Sequence, residues 1–231
     1  MSQLLVERVC TKVYDKTLID DISFTVDRGE VVALVGHNGA GKSTLIKTIV
    51  GTMEKFEGKI VIADEFDQDE SFLEYKKHLS YIPEEPMLLS ELTVMQHFQL
   101  YGLSYEIEEQ ELKEKLKRLV TGFQLEDKLN EYPEALSKGM RQKVQAICAL
   151  LPDVPLILID EPFMGLDIYS VDFLEQLMLE KKEAGTAILL TTHQLERVKR
   201  MADEFVLLDN GKIVSTGQID QFTTITRGSE E

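Results

Sequence analysis

The sequence predicts an α/β fold on a mostly parallel core sheet, and three observations predict it. Residues 31–35, 156–159 and 187–190 are apolar at every position. Such short runs read as strands buried on both faces, the pattern of parallel sheets covered by helices. Helical patterns lie between them. The first run leads directly into Gly36-His37-Asn38-Gly39-Ala40-Gly41-Lys42-Ser43, which fits the phosphate-loop pattern GxxxxGK[ST] in full.

Taken in order, residues 4–9 and 22–26 read as short strands, and 31–35 as a buried one bounded by Gly29 and Gly36. A helix is expected from Lys42 to about Val50, closed by Gly51. Residues 59–63 read as another strand. The acidic stretch 64–74 reads as an exposed loop and a helix start. Residues 84–151 read as mostly helix, with Leu112, Leu116, Leu119, Val120 and Phe123 on one apolar face. Their acidic surplus reads as a solvated helical surface. Residues 205–208 and 212–214 flank Asp209-Asn210-Gly211, a hairpin signal, because Asn-Gly supplies the two positive φ angles of a tight turn.

The chain has 231 residues, enough for one domain or one domain with a subdomain, and an apolar fraction of 43%, enough for a real core. Acids outnumber bases 41 to 25, a formal net charge of −16. That surplus argues against nucleic acid as a partner, which needs a basic face to displace counterions, and disfavours direct docking on anionic lipid. The two cysteines, Cys10 and Cys148, lie far apart, imply neither a disulfide framework nor a zinc site, and fit a reducing cytosol. No signal peptide is expected, nor any run near the roughly 18 apolar residues of a membrane span.

The phosphate loop carries the chemistry. Its glycines let backbone N–H groups turn inward around phosphate oxygens, and the helix start adds partial positive charge. Lys42 is expected to reach the β- and γ-phosphates, Ser43 to ligate Mg²⁺, and Thr44 to donate to the α-phosphate. His37 and Asn38 are read as loop filling. The run 156–159 ends in Asp160-Glu161. A buried strand that delivers acids at its C-terminal end presents them to the ligand crevice of an α/β sheet. Asp160 suits a Mg²⁺ partner, and Glu161 suits the polarisation of an attacking water.

Leu136-Ser137-Lys138-Gly139-Met140 precedes that pair. A strand, a phosphate loop, this element and then Asp-Glu is the order seen in ATP-binding cassette (ABC) proteins, and the sequence resembles an ABC transporter nucleotide-binding domain over nearly its whole length. The resemblance implies ATP and Mg²⁺ as cofactors. It implies one ABC ATPase domain over 1–231, with an N-terminal antiparallel β-subdomain, an inserted helical subdomain over 84–151 and a flexible tail over 224–231. It implies that Ser137 and Gly139 contact the γ-phosphate held by a second subunit. Lys138 replaces the usual Gly and Met140 the usual Gln, so the Gln amide contacts are lost. Tyr14 matches the aromatic that stacks on adenine, with packing at a strand end as the open alternative. Asp167, in Gly165-Leu166-Asp167, matches the loop that crosses the dimer interface. His193 matches the switch histidine that senses the γ-phosphate. Glu84, in Tyr81-Ile82-Pro83-Glu84-Glu85-Pro86, falls where the family places its lid glutamine; a carboxylate can ligate Mg²⁺ but cannot donate as an amide does.

These motif forms resemble the export-type subgroup and, more narrowly, the ATPase of Ecs-type exporters. The implied function is ATP hydrolysis, shared between two copies in a homodimer, energising a separate transmembrane permease. The implied location is cytoplasmic, peripheral on the inner face of the cell membrane through that permease. A soluble ABC ATPase without a permease, such as one serving iron–sulfur cluster assembly, stays open at this point. A nucleic-acid-linked ABC protein would need a long coiled-coil insert or tandem cassettes, and neither is present. GTP would want Asn/Thr-Lys-x-Asp, and Thr11-Lys12-Val13-Tyr14 fails at the acid.

Overall fold

The structure is a computed structural model and describes residues 1–192 and 194–222. His193 and the expected tail at 224–231 lie outside the described residues.

Two sheets form the frame. The first is antiparallel, in the order β2 (Lys16–Asp27), β1 (Ser2–Val13), β4 (Glu57–Ile62), β5 (Phe66–Asp67). The second places β3 (Val31–Val35) beside β8 (Ala187–Thr191), β7 (Leu156–Asp160) and β6 (Leu79–Ile82), all parallel. On its other side β3 pairs parallel with β9 (Glu204–Asp209), which turns back as β10 (Lys212–Gln218). The turn residues Asn210 and Gly211 have φ of 46° and 76°, the two positive angles that the sequence predicts.

The apolar runs are buried on both faces, as their composition requires. Val31, Ala33, Val35, Ile157, Ile159, Ile188 and Leu190 join a core under the helices. Val32, Leu34, Leu156, Leu158, Ala187 and Leu189 join a second core under the antiparallel sheet. Truncating one such leucine, Leu158→Ala, costs about 2–5 kcal/mol.

Helix α1 (Lys42–Val50) starts at Gly41 and stops at Gly51, both left-handed. Its last carbonyls explain the one stretch that the sequence misread. Residues 64–74 are not simply an exposed loop. Gln68 is buried and donates to the carbonyls of Thr48 and Ile49 at 2.8 and 3.0 Å, and Asp67 is buried and accepts from the Asp69 amide at 2.8 Å. Gln68 thus satisfies helix-end carbonyls that would otherwise be orphaned, and Asp67 pins the loop that precedes the next helix. α2 (Phe72–Lys77) follows them.

The helical region comprises α3 (Val94–Ser104), α4 (Glu109–Gly122) and α5 (Lys138–Leu150). Thr93 and Gln96 form a capping box on α3, and Ser137 caps α5. Leu116, Leu119, Val120 and Phe123 are buried, with Leu112 packed beside them, so the predicted apolar face is the packed one. The second half of α5 belongs to the main core, where Val144, Ala146 and Ile147 are buried and the Ala149 carbonyl accepts from Ser80 at 2.6 Å. α6 (Ile168–Glu183) and α7 (Leu195–Met201) complete the fold.

Candidate nucleotide site

The loop from Gly36 to Gly41 is seated on the β9–β10 hairpin. A Cβ on Gly36 would stand 2.5 Å from the Leu208 carbonyl oxygen, so no larger residue fits there. The Gly211 amide donates to the Ala40 carbonyl at 2.9 Å, while the Gly211 carbonyl accepts from the Asp20 amide at 2.8 Å. The turn is thus wedged between the phosphate loop and β2. Gly41 takes φ of 109° and launches α1.

Lys42 is buried, and its Nζ donates to the carbonyls of Gly36 and His37 at 2.8 and 3.2 Å. Burial lowers its pKa below the ordinary lysine range, and the charges of Glu161, Asp160 and Glu84 oppose that shift. His37 has acceptors at both ring nitrogens: the Asn38 carbonyl faces Nδ1 and the Asp209 carboxylate faces Nε2, each at 2.7 Å. A neutral imidazole donates from one nitrogen only, so the pair of acceptors raises its pKa, the Asn38 carbonyl most and Asp209 next. This departs from the expectation of simple loop filling.

The acids arrive at the end of β7. Sheet register sets Asp160 opposite Thr191 of β8. The Thr191 hydroxyl donates to Asp160 Oδ1 at 2.6 Å, and its oxygen, like the Thr191 carbonyl, accepts from the Glu161 amide at 3.1 Å. Glu161 sits at φ 49°, a left-handed conformation that costs a non-glycine residue about 1–3 kcal/mol and recurs at functional sites.

These parts enclose a cleft of about 540 Å³. Asn38, Gly39, Gly41, Lys42, Ser43 and Thr44 line one side, and Glu84, Asp160 and Glu161 the other. Among the described residues, no group of three or more His, Cys, Asp or Glu is placed to hold a metal. Ser43, Asp160 and Glu84 offer oxygen donors on the lining, a set of the kind Mg²⁺ takes, with one or two protein oxygens and the rest from phosphate and water.

Seven of the described predicted residues lie outside the lining: Gly36, His37 and Ala40, which belong to the loop itself, and Tyr14, Ser137, Gly139 and Asp167. Tyr14 stands on the β1–β2 turn, 97% exposed, free to meet a flat ring. Ser137, Gly139 and Asp167 gather at the start of α5. The Ser137 hydroxyl accepts from the Met140 amide at 3.2 Å. A Cβ on Gly139 would stand 2.4 Å from the Gly165 carbonyl oxygen. Asp167 caps α6 through the Ser170 amide at 2.9 Å and pairs with Lys143 at 2.7 Å, which holds its carboxyl far below the usual range. Thr191, Asp209 and Lys143 escaped the sequence reading. Thr191 had a signal, the hydroxyl that ends an otherwise apolar strand.

A family model described as ABC transporter matches residues 19–164. The ABC-type transporter ATP-binding protein EcsA of Bacillus subtilis is 37% identical over 205 residues, 88% of this chain and 82% of that protein. The SkfA peptide export ATP-binding protein SkfE of Bacillus subtilis is 33% identical over 204 residues, 88% of this chain and 84% of that protein. A solved ATP-binding subunit of an ABC transporter superposes with a TM-score of 0.91 at 42% identity, covering 95% of this chain and 91% of that one.

Proposed function

The chain belongs to the ABC transporter family of ATP-binding proteins, and from that premise we propose that it is the ATPase subunit of an exporter. It binds and hydrolyses ATP to energise a separate transmembrane permease. The transporter relatives favour this over a permease-free ATPase. The observation that carries the reading is one cleft with Lys42 and the loop amides on one side and Asp160 and Glu161 on the other.

In this reading the loop amides and Lys42 bind and orient the triphosphate, where positive groups gain most in a partly buried site. Ser43 and Asp160 would hold Mg²⁺, with Glu84 a further ligand; the ion supplies charge neutralisation at the phosphates. Glu161 acts as general base toward the attacking water. Tyr14 stacks on the adenine. Ser137, Gly139 and Asp167 stand away from their own cleft, which supports a role across a homodimer, facing the nucleotide of the other copy. His193 is proposed as the γ-phosphate sensor. Among the described residues no helix is long and apolar enough to cross a membrane. Placement on the inner face of the cell membrane therefore depends on the permease.

The test is ATP turnover of the purified chain and of Lys42→Ala, with affinity capture of the chain from native membranes. Loss of turnover in the variant and co-purification of a multi-span membrane protein are expected. A variant with near wild-type turnover would overturn the reading.

A further inference from the structure

Helix α5 grips the segment around Glu84 through a polar stripe. Lys138, Gln142 and Gln145 stand at i, i+4 and i+7, one face of the helix. Lys138 Nζ donates to Glu85 Oε1 at 2.6 Å. Gln142 Nε2 donates to the Pro83 carbonyl at 3.3 Å, and Gln145 Oε1 accepts from the Met87 amide at 3.0 Å. The three contacts bracket Glu84 on both sides, and Glu84 lines the cleft. A second stripe, Gly139 and Lys143, holds the other loop: Gly139 abuts the Gly165 carbonyl and Lys143 pairs with Asp167.

Two features set this contact apart from ordinary packing. Gln142 and Gln145 are 0% and 2% exposed on a helix whose other buried positions are mainly apolar. Buried amides are unfavourable without partners, yet Gln142 Oε1 is buried with no hydrogen bond among the described residues. Lys138 occupies the first turn of α5, where the helix dipole disfavours a cation. Glu85 offsets that by pairing with it, and of the two neighbouring acids it is Glu84 that lines the cleft. Lys138, which replaces the family's usual Gly, thus contacts the residue that follows Glu84.

We propose that Lys138, Gln142 and Gln145 are positioning residues that fix Glu84 over the nucleotide and carry its position, through α5, to the Ser137 and Asp167 elements. The proposal deepens the ATPase reading and rests on it.

The test uses the full chain with Gln142→Met, Lys138→Glu, Glu85→Lys and the charge-swapped double variant. Hydrogen exchange of the Glu84, Glu85 and Met87 amides, Pro83 and Pro86 having none, measures the grip without activity, and steady-state turnover measures its consequence. Gln142→Met and each single charge variant should speed exchange there. They should also lower kcat by about twofold to thirtyfold, the range for changes acting through a connecting element. KM for ATP should hold within about twofold, because the phosphate loop is untouched. The charge swap should restore both readouts. Gln142→Met removes an orphaned acceptor and the donor to the Pro83 carbonyl together, two changes of opposite sign, so melting should move little while kcat falls, which separates positioning from loss of stability. Unchanged exchange, faster exchange at wild-type kcat, or a swap no better than its singles would overturn the proposal. A wild-type chain without ATP turnover would instead overturn the ATPase reading, while exchange would still decide the grip.

Discussion

The Thr191 hydroxyl holds Asp160, at 2.6 Å from its Oδ1, and the β7–β8 register puts the two residues opposite each other. The same oxygen accepts from the amide of Glu161. One side chain on a neighbouring strand thus holds both acids at the end of β7. Thr191→Val keeps the shape and the strand propensity but removes both contacts. Partners that orient ligating groups typically cost 10–100-fold in metal affinity or activity when lost, so about that loss is expected in turnover. Steady-state rates across a Mg²⁺ series check it; wild-type rates at every concentration would show that Thr191 merely packs.

His37 and Asp209 tie the phosphate loop to the end of β9 through the imidazole, at 2.7 Å. The folded pKa of His37 is raised, first by the Asn38 carbonyl and then by Asp209. Its contribution to stability is therefore complete below the unfolded histidine value, about 6.5, and is lost as pH rises through the folded value. Asp209→Asn should move the imidazole titration down, though not fully, because the Asn38 carbonyl remains. Imidazole NMR titration of both proteins reads this directly. Identical curves would remove Asp209 from the account.

Much of this was legible in the sequence because it is local. The phosphate loop, the limits of α1 and the Asn210-Gly211 turn follow from glycine positions, and the buried strands from uninterrupted apolar runs. The burial of Asp67 and Gln68 escapes the sequence because charge and polarity give no hint of the α1 carbonyls that Gln68 serves or of the loop amides that Asp67 accepts from. Thr191, Asp209 and Lys143 act on residues distant in sequence, so only strand register and helix packing bring out their partners. Tyr14, Ser137, Gly139 and Asp167 were identified by resemblance rather than by chemistry. In one chain their positions away from the cleft do not by themselves reveal a ligand.

Glu84 offers a carboxylate where an amide would serve a different role. As a Mg²⁺ ligand it lends negative charge to the ion, and Glu84→Gln removes that charge at constant size. The Mg²⁺ concentration for half-maximal turnover should rise. Superimposable titrations would reject the ligand role and leave Glu84 to the permease contact, where coupling to transport would suffer instead.

In the proposed ATP sandwich, Glu161 sets how long two chains stay together. Removing a general base typically costs about 10²–10⁴ in rate, so Glu161→Gln should bind ATP and keep it. The substitution also removes a negative charge from the lining of the cleft proposed to hold the triphosphate, where like charges repel more strongly than in bulk water. Both effects lengthen the life of an ATP sandwich. The wild-type chain should be mainly monomeric, because nucleotide fills much of the proposed interface. The variant should shift to a dimer with ATP and not with ADP, by light scattering or size exclusion. Ser137→Arg added to Glu161→Gln should undo the shift, since a bulky side chain at the start of α5 would block the phosphate of the opposite copy. If Glu161→Gln remains monomeric in saturating ATP while binding it, the placing of Ser137 and Asp167 across a homodimer loses its basis.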